Sequence, residues 1–275
     1  MQDGPADLAA YDVILVNSSA GKDSQAMLTH LVALADAQQL DRARLIVVHA
    51  DLGRVEWEGT RELAQEQAEH YGLRFEVVRR EKGDLLDQIE QRGMFPSSAA
   101  RYCTSDQKTS QVAKLMTRLA DEHRASGADR PIRILNCLGI RAQESPARAK
   151  KVPFGRDDTA SNGRRHVDKW LPIFHWTEAR VWDVIRASGV RWHPAYDAGM
   201  PRLSCVFCVL AGERELRLAA RLNPALAAEY VAVEERIGHT FKNGRSIASI
   251  VADAAAEGDQ PAPVKTEQQV LSCFA

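Results

Sequence analysis

The stretch Tyr11-Asp12-Val13-Ile14-Leu15-Val16-Asn17-Ser18-Ser19-Ala20-Gly21-Lys22-Asp23-Ser24 joins a strand-like run to a helix-like one. Tyr11–Asn17 is short, apolar and β-branched, and ends in small polar residues, the pattern of a buried strand. From about Ser24 the residues Met27, Leu28, Leu31, Leu34 and Ala35 recur on one helical face. Small residues between a strand and a helix let backbone N–H groups approach a phosphate closely, and the helix N-terminus adds a positive potential. Lys22 supplies a point charge, and Ser19 and Ser24 supply hydroxyls. Two familiar phosphate loops fail on spacing. GxxxxGK[ST] would need glycine where Val16 stands and Ser or Thr where Asp23 stands, and no GxGxxG follows the strand. An ordinary strand-to-helix turn also uses small residues for tightness, so the loop is read together with the rest of the chain.

The first half continues the alternation. Leu45–His49 reads as a second buried strand, Thr60–Tyr71 as a polar amphipathic helix and Phe75–Val78 as a third strand. Ile132–Leu138 reads as a fourth strand, after a helix through Val112–Leu119. The expected fold is α/β, a doubly wound and mainly parallel sheet with helices on both faces. Ligands of such sheets sit beyond the C-terminal strand ends, where strand order reverses. From about Glu144 the texture changes, and Ser145 to Lys169 reads as a long, mobile, basic loop rich in Pro, Gly and charge. Arg141 through Lys169 holds about eight Lys or Arg against about four Asp or Glu. Thr177–Ser188 reads as a helix capped by Thr177, with Arg180 at the N3 place. Gly212 to Ala255 is mostly helical, broken at Asn223-Pro224, Gly238 and Gly244, and Gly258 to Thr266 reads as a flexible tail. The expected division is residues 1–143, an α/β domain, and 144–275, the basic loop with a CxxC-containing helical region.

Composition narrows the class. With 275 residues, 45% hydrophobic and 27% charged, the chain has the balance of a soluble globular protein. No apolar run approaches the roughly 20 residues of a membrane span. Met1 to Ala10 is polar, acidic and alanine-rich and does not read as a secretory leader, so a cytoplasmic location without membrane contact is expected. The 36 Lys+Arg and 37 Asp+Glu leave a net charge of -1, so any nucleic-acid contact is expected to be local or supplied by a partner. Five cysteines in such a chain read as thiols, metal ligands or catalytic groups rather than disulfides.

Four further stretches carry chemistry. Asp51 follows the second strand, where it lies beside a bound ligand or ends the strand in a turn. Cys103, in Arg101-Tyr102-Cys103-Thr104-Ser105-Asp106-Gln107-Lys108, has flanking positive charge that favours thiolate. Gly139-Ile140-Arg141-Ala142-Gln143-Glu144-Ser145 with Arg148 follows the fourth strand, and its arginines can clamp phosphate in a planar, directional way. Cys205-Val206-Phe207-Cys208 is a CxxC hairpin able to hold one metal atom or one edge of a cluster, to act in redox, or simply to be buried. Cys137, within an apolar strand, reads as core. Trp176 and Trp182 read as core anchors, and His175, His193 and His239 lack the spacing of a histidine zinc site.

Ser19–Ser24 closely resembles the SGGxDS loop of the PP-loop ATP pyrophosphatase superfamily, with Ala20 replacing one glycine. In that family the loop holds the pyrophosphate portion of ATP, which is cleaved between the α- and β-phosphates. Arg101–Lys108 and the GxRxxES..R pattern from Gly139 to Arg148 resemble its PAPS reductase branch. So do Trp170-Leu171-Pro172-Ile173, Trp176-Thr177 and Val181-Trp182, and the region from Asn223 through Phe241; the resemblance runs from about Tyr11 to Ile250. It implies a PP-loop, adenine-nucleotide alpha-hydrolase-like fold. It implies nucleotide contacts from Ser18, Ser19, Ala20, Gly21, Lys22, Asp23, Ser24, His49, Asp51, Gly139, Arg141 and Arg148, with chemical roles for Lys22, Asp23, Arg141 and Cys103. Cys103, Cys205 and Cys208 resemble the iron–sulfur set of the DNA phosphorothioation pyrophosphatases of the DndC and SspD type. A fourth cysteine normally follows soon there; here the next is Cys273, which leaves Cys273 as fourth ligand, a three-cysteine cluster, or no cluster.

The resemblance thus implies ATP, Mg²⁺ and a [4Fe–4S] cluster as cofactors. Its implied partners are a cysteine desulfurase as sulfur donor, other DNA phosphorothioation proteins, and DNA met inside a complex, with a homodimer among the assemblies. A sulfonucleotide reductase is the alternative; its tail cysteine would be compared with Leu271-Ser272-Cys273-Phe274-Ala275. A tRNA thiolase would want an RNA-binding appendage, and none is seen. Ala20 keeps open a non-catalytic ATP-binding subunit.

Overall fold

Val13–Ser18 is buried along nearly its whole length, so it demands cover on both faces. The computed structural model, which describes residues 4–257 apart from Ala6, supplies it; Gly258 to Thr266 and Cys273 lie outside the described residues. In chain order the elements begin β1 (Val13–Ser18), α1 (Lys22–Ala37), β2 (Leu45–Asp51), α2 (Thr60–His70), β3 (Arg74–Arg79) and α3 (Leu85–Arg92). A single turn, α4 (Tyr102–Thr104), runs through a π-helical turn at Ser105–Thr109 into α5 (Ser110–Ala125). Then come β4 (Ile132–Leu138), α6 (Pro146–Ala149), β5 (Phe154–Arg156), β6 (Arg165–Trp170), α7 (Glu178–Ser188), α8 (Glu213–Leu222), α9 (Pro224–Ile237) and α10 (Ile247–Ala256). Among the described residues no helix is long and apolar enough to cross a membrane.

The six strands lie in the order β3-β2-β1-β4-β6-β5. All neighbours are parallel except β5, which runs antiparallel to β6 at the edge. The α/β, mainly parallel fold expected from the sequence is therefore observed. The chain moves outward from β1 through β2 to β3, then returns to place β4 on the other side of β1, so strand order reverses between β1 and β4. That gap is where a doubly wound sheet opens a crevice beyond its strand ends. One face packs Val13, Leu15, Ile46 and Val48 against Val112, Leu115, Met116 and Leu119 of α5. The other packs Ile14, Val16 and Val47 against Met27, Leu28 and Leu31 of α1 and Val181 and Ile185 of α7. Beyond β2, a further cluster joins Leu52, Trp57, Leu86 and Phe95 to Val206, Phe207, Tyr230, Phe241 and Ile250, so α8–α10 are built onto the crevice end of the sheet.

Two readings are corrected. Helix α1 starts at Lys22 rather than near Ser24, with Gly21 as its cap residue. The stretch Ser145 to Lys169 is not one mobile loop: it contains α6, β5 and β6, and β6 pairs with β4 from Ile132↔Arg165 to Cys137↔Trp170. Charge hid the strand, because Arg165-His166-Val167-Asp168-Lys169-Trp170 has only two plainly apolar positions. Arg165 takes an interior position regardless and is 6% exposed. Its guanidinium donates to the carbonyls of Ala160 (2.8 Å) and Ala113 (3.1 Å) and to the Thr117 hydroxyl, tying the hairpin to α5. A buried guanidinium needs several acceptors, and this one has them.

Arg165→Ala should therefore lower stability by about 2–4 kcal/mol, because buried acceptors are orphaned and a void is opened. Arg165→Lys should recover only part of the loss, having no planar fork. Urea unfolding of the three proteins is the check; a loss under about 0.5 kcal/mol, the range of a surface substitution, would contradict the interior role.

Candidate functional site

The crevice receives the segments that follow β1 and β4, which are neighbours in register at Asn17↔Leu138. From β1 comes the loop Ser18–Ser24, whose hydroxyls brace it from within. Ser24 Oγ donates to the Gly21 carbonyl (2.9 Å) and accepts from the Ser19 amide (3.2 Å), while Ser18 Oγ accepts from the Ala20 amide (3.2 Å). Among the described residues the amides of Gly21, Asp23 and Ser24 have no protein acceptor. These are the free donors of a helix N-terminus, the groups that bind an anion. Ala20 has φ +54°, in the left-handed region that favours glycine. Its fully buried methyl packs with Leu63 and Ala64, and this burial offsets the strain.

Lys22 is 2% exposed. Its Nζ donates to the Pro201 carbonyl at 2.7 Å and lies 3.8 Å from both Asp23 and Glu178. Its backbone amide donates to the Tyr196 hydroxyl at 2.8 Å. From β4 comes Arg141, also 2% exposed, whose Nε meets Asp23 Oδ1 at 2.5 Å and whose Nη1 reaches Gln143 Oε1 at 2.9 Å. The loops approach so closely that a Cβ on Gly139 would stand 3.0 Å from the Asp23 backbone, which explains a glycine there. Glu144 accepts from the Arg141 amide (3.0 Å) and also holds Arg148, so Arg148 braces the second loop from outside.

The structure thus brings together Ser18, Ser19, Ala20, Gly21, Lys22, Asp23, Ser24, Gly139 and Arg141. His49 and Asp51 stand beside this set with their polar atoms already engaged. His49 Nδ1 pairs with the Ser18 carbonyl and Nε2 with Glu56 Oε2, each at 3.0 Å. Asp51 accepts from the Gly53 amide at 2.7 Å, so its side chain serves a turn, and it also lines an open cleft of about 560 Å³ between residues 51–62 and 222–229. Tyr196, Pro201, Glu178 and Gln143 were not foreseen as site residues. The only signal was the position of Tyr196 in a turn-rich run just before the CxxC.

Cys103 and Cys205 pack against the same apolar cluster, and the Val206 amide donates to the Val55 carbonyl at 2.9 Å, drawing the CxxC hairpin to the crevice end. Burial pushes the Cys205 thiol up to about 12, with Lys108 opposing and Cys208, Glu56 and Cys103 adding to the rise. Among the described residues, no three His, Cys, Asp or Glu side chains are grouped to hold a metal ion. Cys208 and Cys103 both act electrostatically on Cys205, so the three cysteines are neighbours, and Cys273 lies outside the described residues. Cys137 is a core residue whose thiol is raised by burial.

The sequence profile of the phosphoadenosine phosphosulfate reductase domain matches residues 13–211, which spans both loops, Cys103 and the CxxC pair. An uncharacterized 37.8 kDa protein of Escherichia phage 186 is 29% identical over 152 residues, 55% of this chain and 42% of that protein. The chain thus spans about two fifths of the length of that relative. The adenosine 5'-phosphosulfate reductase of Neisseria meningitidis serogroup A is 26% identical over 219 residues, 76% of this chain and 72% of the enzyme. Among solved structures, a phosphoadenylyl-sulfate reductase from Candida auris overlaps with a TM-score of 0.45 at 13% identity, covering 72% of this chain and 83% of its own.

His49 is fully buried, which lowers its pKa, but the hydrogen bond and charge of Glu56 outweigh burial and raise it above 6.5. A raised histidine contributes stability that is complete below the unfolded value and is lost as pH climbs through the folded one. His30 and His193 are shifted the other way, chiefly by burial, so they act in the opposite sense. The stability difference between the native chain and His49→Gln should shrink as pH rises above about 6.5, by at most about 1.4 kcal/mol per unit. Denaturation at a series of pH values checks it; a difference that grows with pH would refute the pairing.

Proposed function

Since the chain belongs to the phosphoadenosine phosphosulfate reductase domain family, we propose that it binds an adenosine nucleotide by its phosphates on Ser18–Ser24. We further propose that it works as an ATP pyrophosphatase in sulfur transfer to nucleic acid. The observation that carries this reading is the convergence of three free amides, Lys22 and Arg141 at one strand-switch crevice. An acceptor oxygen attacks the α-phosphorus, a new O–P bond forms, and the bond to the β-phosphate breaks to release pyrophosphate. The outer sulfur of a persulfide carried by a cysteine desulfurase then attacks the activated phosphorus and displaces AMP. A second thiol attacks the inner sulfur of the resulting acceptor–S–S–Cys adduct, leaving sulfur on the acceptor and a disulfide on the carrier. The chain contributes positioning and charge: Asp23 orients Arg141, and Arg141, Lys22 and the amides of α1 offset the negative charge that builds on the departing group. Mg²⁺ enters with ATP as part of the substrate.

The proposed acceptor is a DNA backbone phosphate. Between Arg148 and Lys169 the chain has seven Lys or Arg against three Asp. Register divides them by place. Phe154 pairs with Trp170 at the crevice end of β6, so Lys150 and Lys151, just before it, lie on the crevice rim, whereas Arg164 and His166 lie at the far end. Lys150 and Lys151 are exposed and, among the described residues, form no ion pair. Two unneutralised cations beside a nucleotide crevice suit a polyanion laid across it. The Neisseria relative supports a second reading, reduction of an adenylyl sulfate.

Incubated with Mg²⁺ and ATP, the chain should yield AMP and pyrophosphate, and Lys22→Met should slow this by about 10²-fold or more. ADP as the product would overturn the reading, and sulfite released from adenylyl sulfate with a thiol would favour the second one. Duplex DNA should bind with an affinity that falls with salt. Changing Lys150 and Lys151 together to Ala should reduce the log–log salt slope by about 2, one phosphate contact for each. An unchanged slope in anisotropy titrations would remove this rim from the DNA path.

A further inference from the structure

Tyr196 Oη accepts two hydrogen bonds, from the amide of Lys22 at 2.8 Å and from the amide of Leu203 at 3.3 Å. Both donors are N–H groups, so neither bond uses the phenolic proton. No described residue accepts that proton. The ring is fixed edge-on against Trp182, centroids 5.1 Å apart at 89°, and Lys22 Nζ lies 5.6 Å from its centre. A Cβ placed on Gly21 would sit 3.4 Å from Tyr196 Oη and 3.3 Å from Ser19 Oγ, so the hydroxyl stands over the glycine that opens the row of free amides.

We propose that Tyr196 is a phosphate-binding residue of this crevice, donating its phenolic proton to an oxygen of the group held by the Gly21, Asp23 and Ser24 amides. This rests on the reading that the loop binds phosphates. An oxygen that accepts from a helix N-terminal amide becomes a better donor through its own proton, because the bonds polarise one another. Burial raises the Tyr196 pKa and keeps the phenol neutral, so it approaches an anion as a donor and not as a second negative charge. The Tyr196–Leu203 turn thereby acquires a purpose in the site: it carries the donor, and through the Pro201 carbonyl it also holds Lys22.

The test is the affinity of the full chain for inorganic pyrophosphate, measured by calorimetry near neutral pH. Tyr196→Phe should weaken binding by about tenfold to a hundredfold, one hydrogen bond to a charged group. Because that variant also frees the Lys22 amide, Tyr196 is replaced in parallel by 3-fluorotyrosine and 3,5-difluorotyrosine, near-isosteric phenols of rising acidity. A donating hydroxyl binds pyrophosphate more tightly as acidity rises, whereas one that only accepts from amides holds the turn less well and binds it more weakly. Tighter binding across the series supports the assignment; flat or weakening affinity, or a Phe variant that binds as well as the native chain, overturns it. If the native chain binds no pyrophosphate, the phosphate reading of the loop falls first and this inference with it.

Discussion

The contact between Asp23 and Arg141 is the constraint on which the crevice depends. It joins the segment after β1 to the segment after β4, and both partners sit where water has little access. Removing two charges from water is expensive, and such a pair adds little net stability over apolar neighbours, but deleting one partner strands the other. The pair therefore acts less as glue than as a fixture. It holds a guanidinium at a set distance from the start of α1, and Gly139 lets the two backbones come close enough for the short bond to form. Topology comes before chemistry here, because only the placement of β4 beside β1 makes the two segments neighbours.

Much of this was legible in the residues. The apolar runs of β1, β2 and β4 are buried on both faces, so they declare themselves without a helix-like period, and the small residues after β1 announce a tight turn. The loop Ser18–Ser24 and Arg141 were placed from sequence and do share one crevice. Strand β6 was not legible because an interior position is filled by Arg165, whose burial depends on acceptors 48 and 52 residues away in α5 as well as on the nearby Ala160 carbonyl. Tyr196 was hidden for a similar reason: its role depends on the Lys22 amide, 174 residues earlier. Local pattern reports what a segment prefers, and it is silent on which distant polar group satisfies it.

The residues beside the crevice show how a ligand-facing place in a sheet need not put a side chain on the ligand. His49 and Asp51 end β2 at the right level, yet each spends its polar atoms on its own surroundings, a carbonyl and Glu56 for one and the Gly53 amide for the other. Their part is to shape the wall. The cysteines are similar in that Cys205 is held as a thiol by its apolar setting, so proximity to Lys108 does not suffice to ionise it.

The wide turn at Ser105–Thr109 has a consequence for how the chain tolerates change in length. A π-helical turn accommodates one residue beyond the α-helical count, and each residue rotates the downstream helix by about 100°. Upstream stands Cys103, against the crevice-end cluster; downstream, Val112, Leu115, Met116 and Leu119 face the sheet. Losing a single amino acid between them would swing that apolar stripe a quarter-turn or more toward solvent. Insertions and deletions should accumulate in exposed connections such as Ser126–Pro131, while this turn keeps its residue count even where its side chains drift.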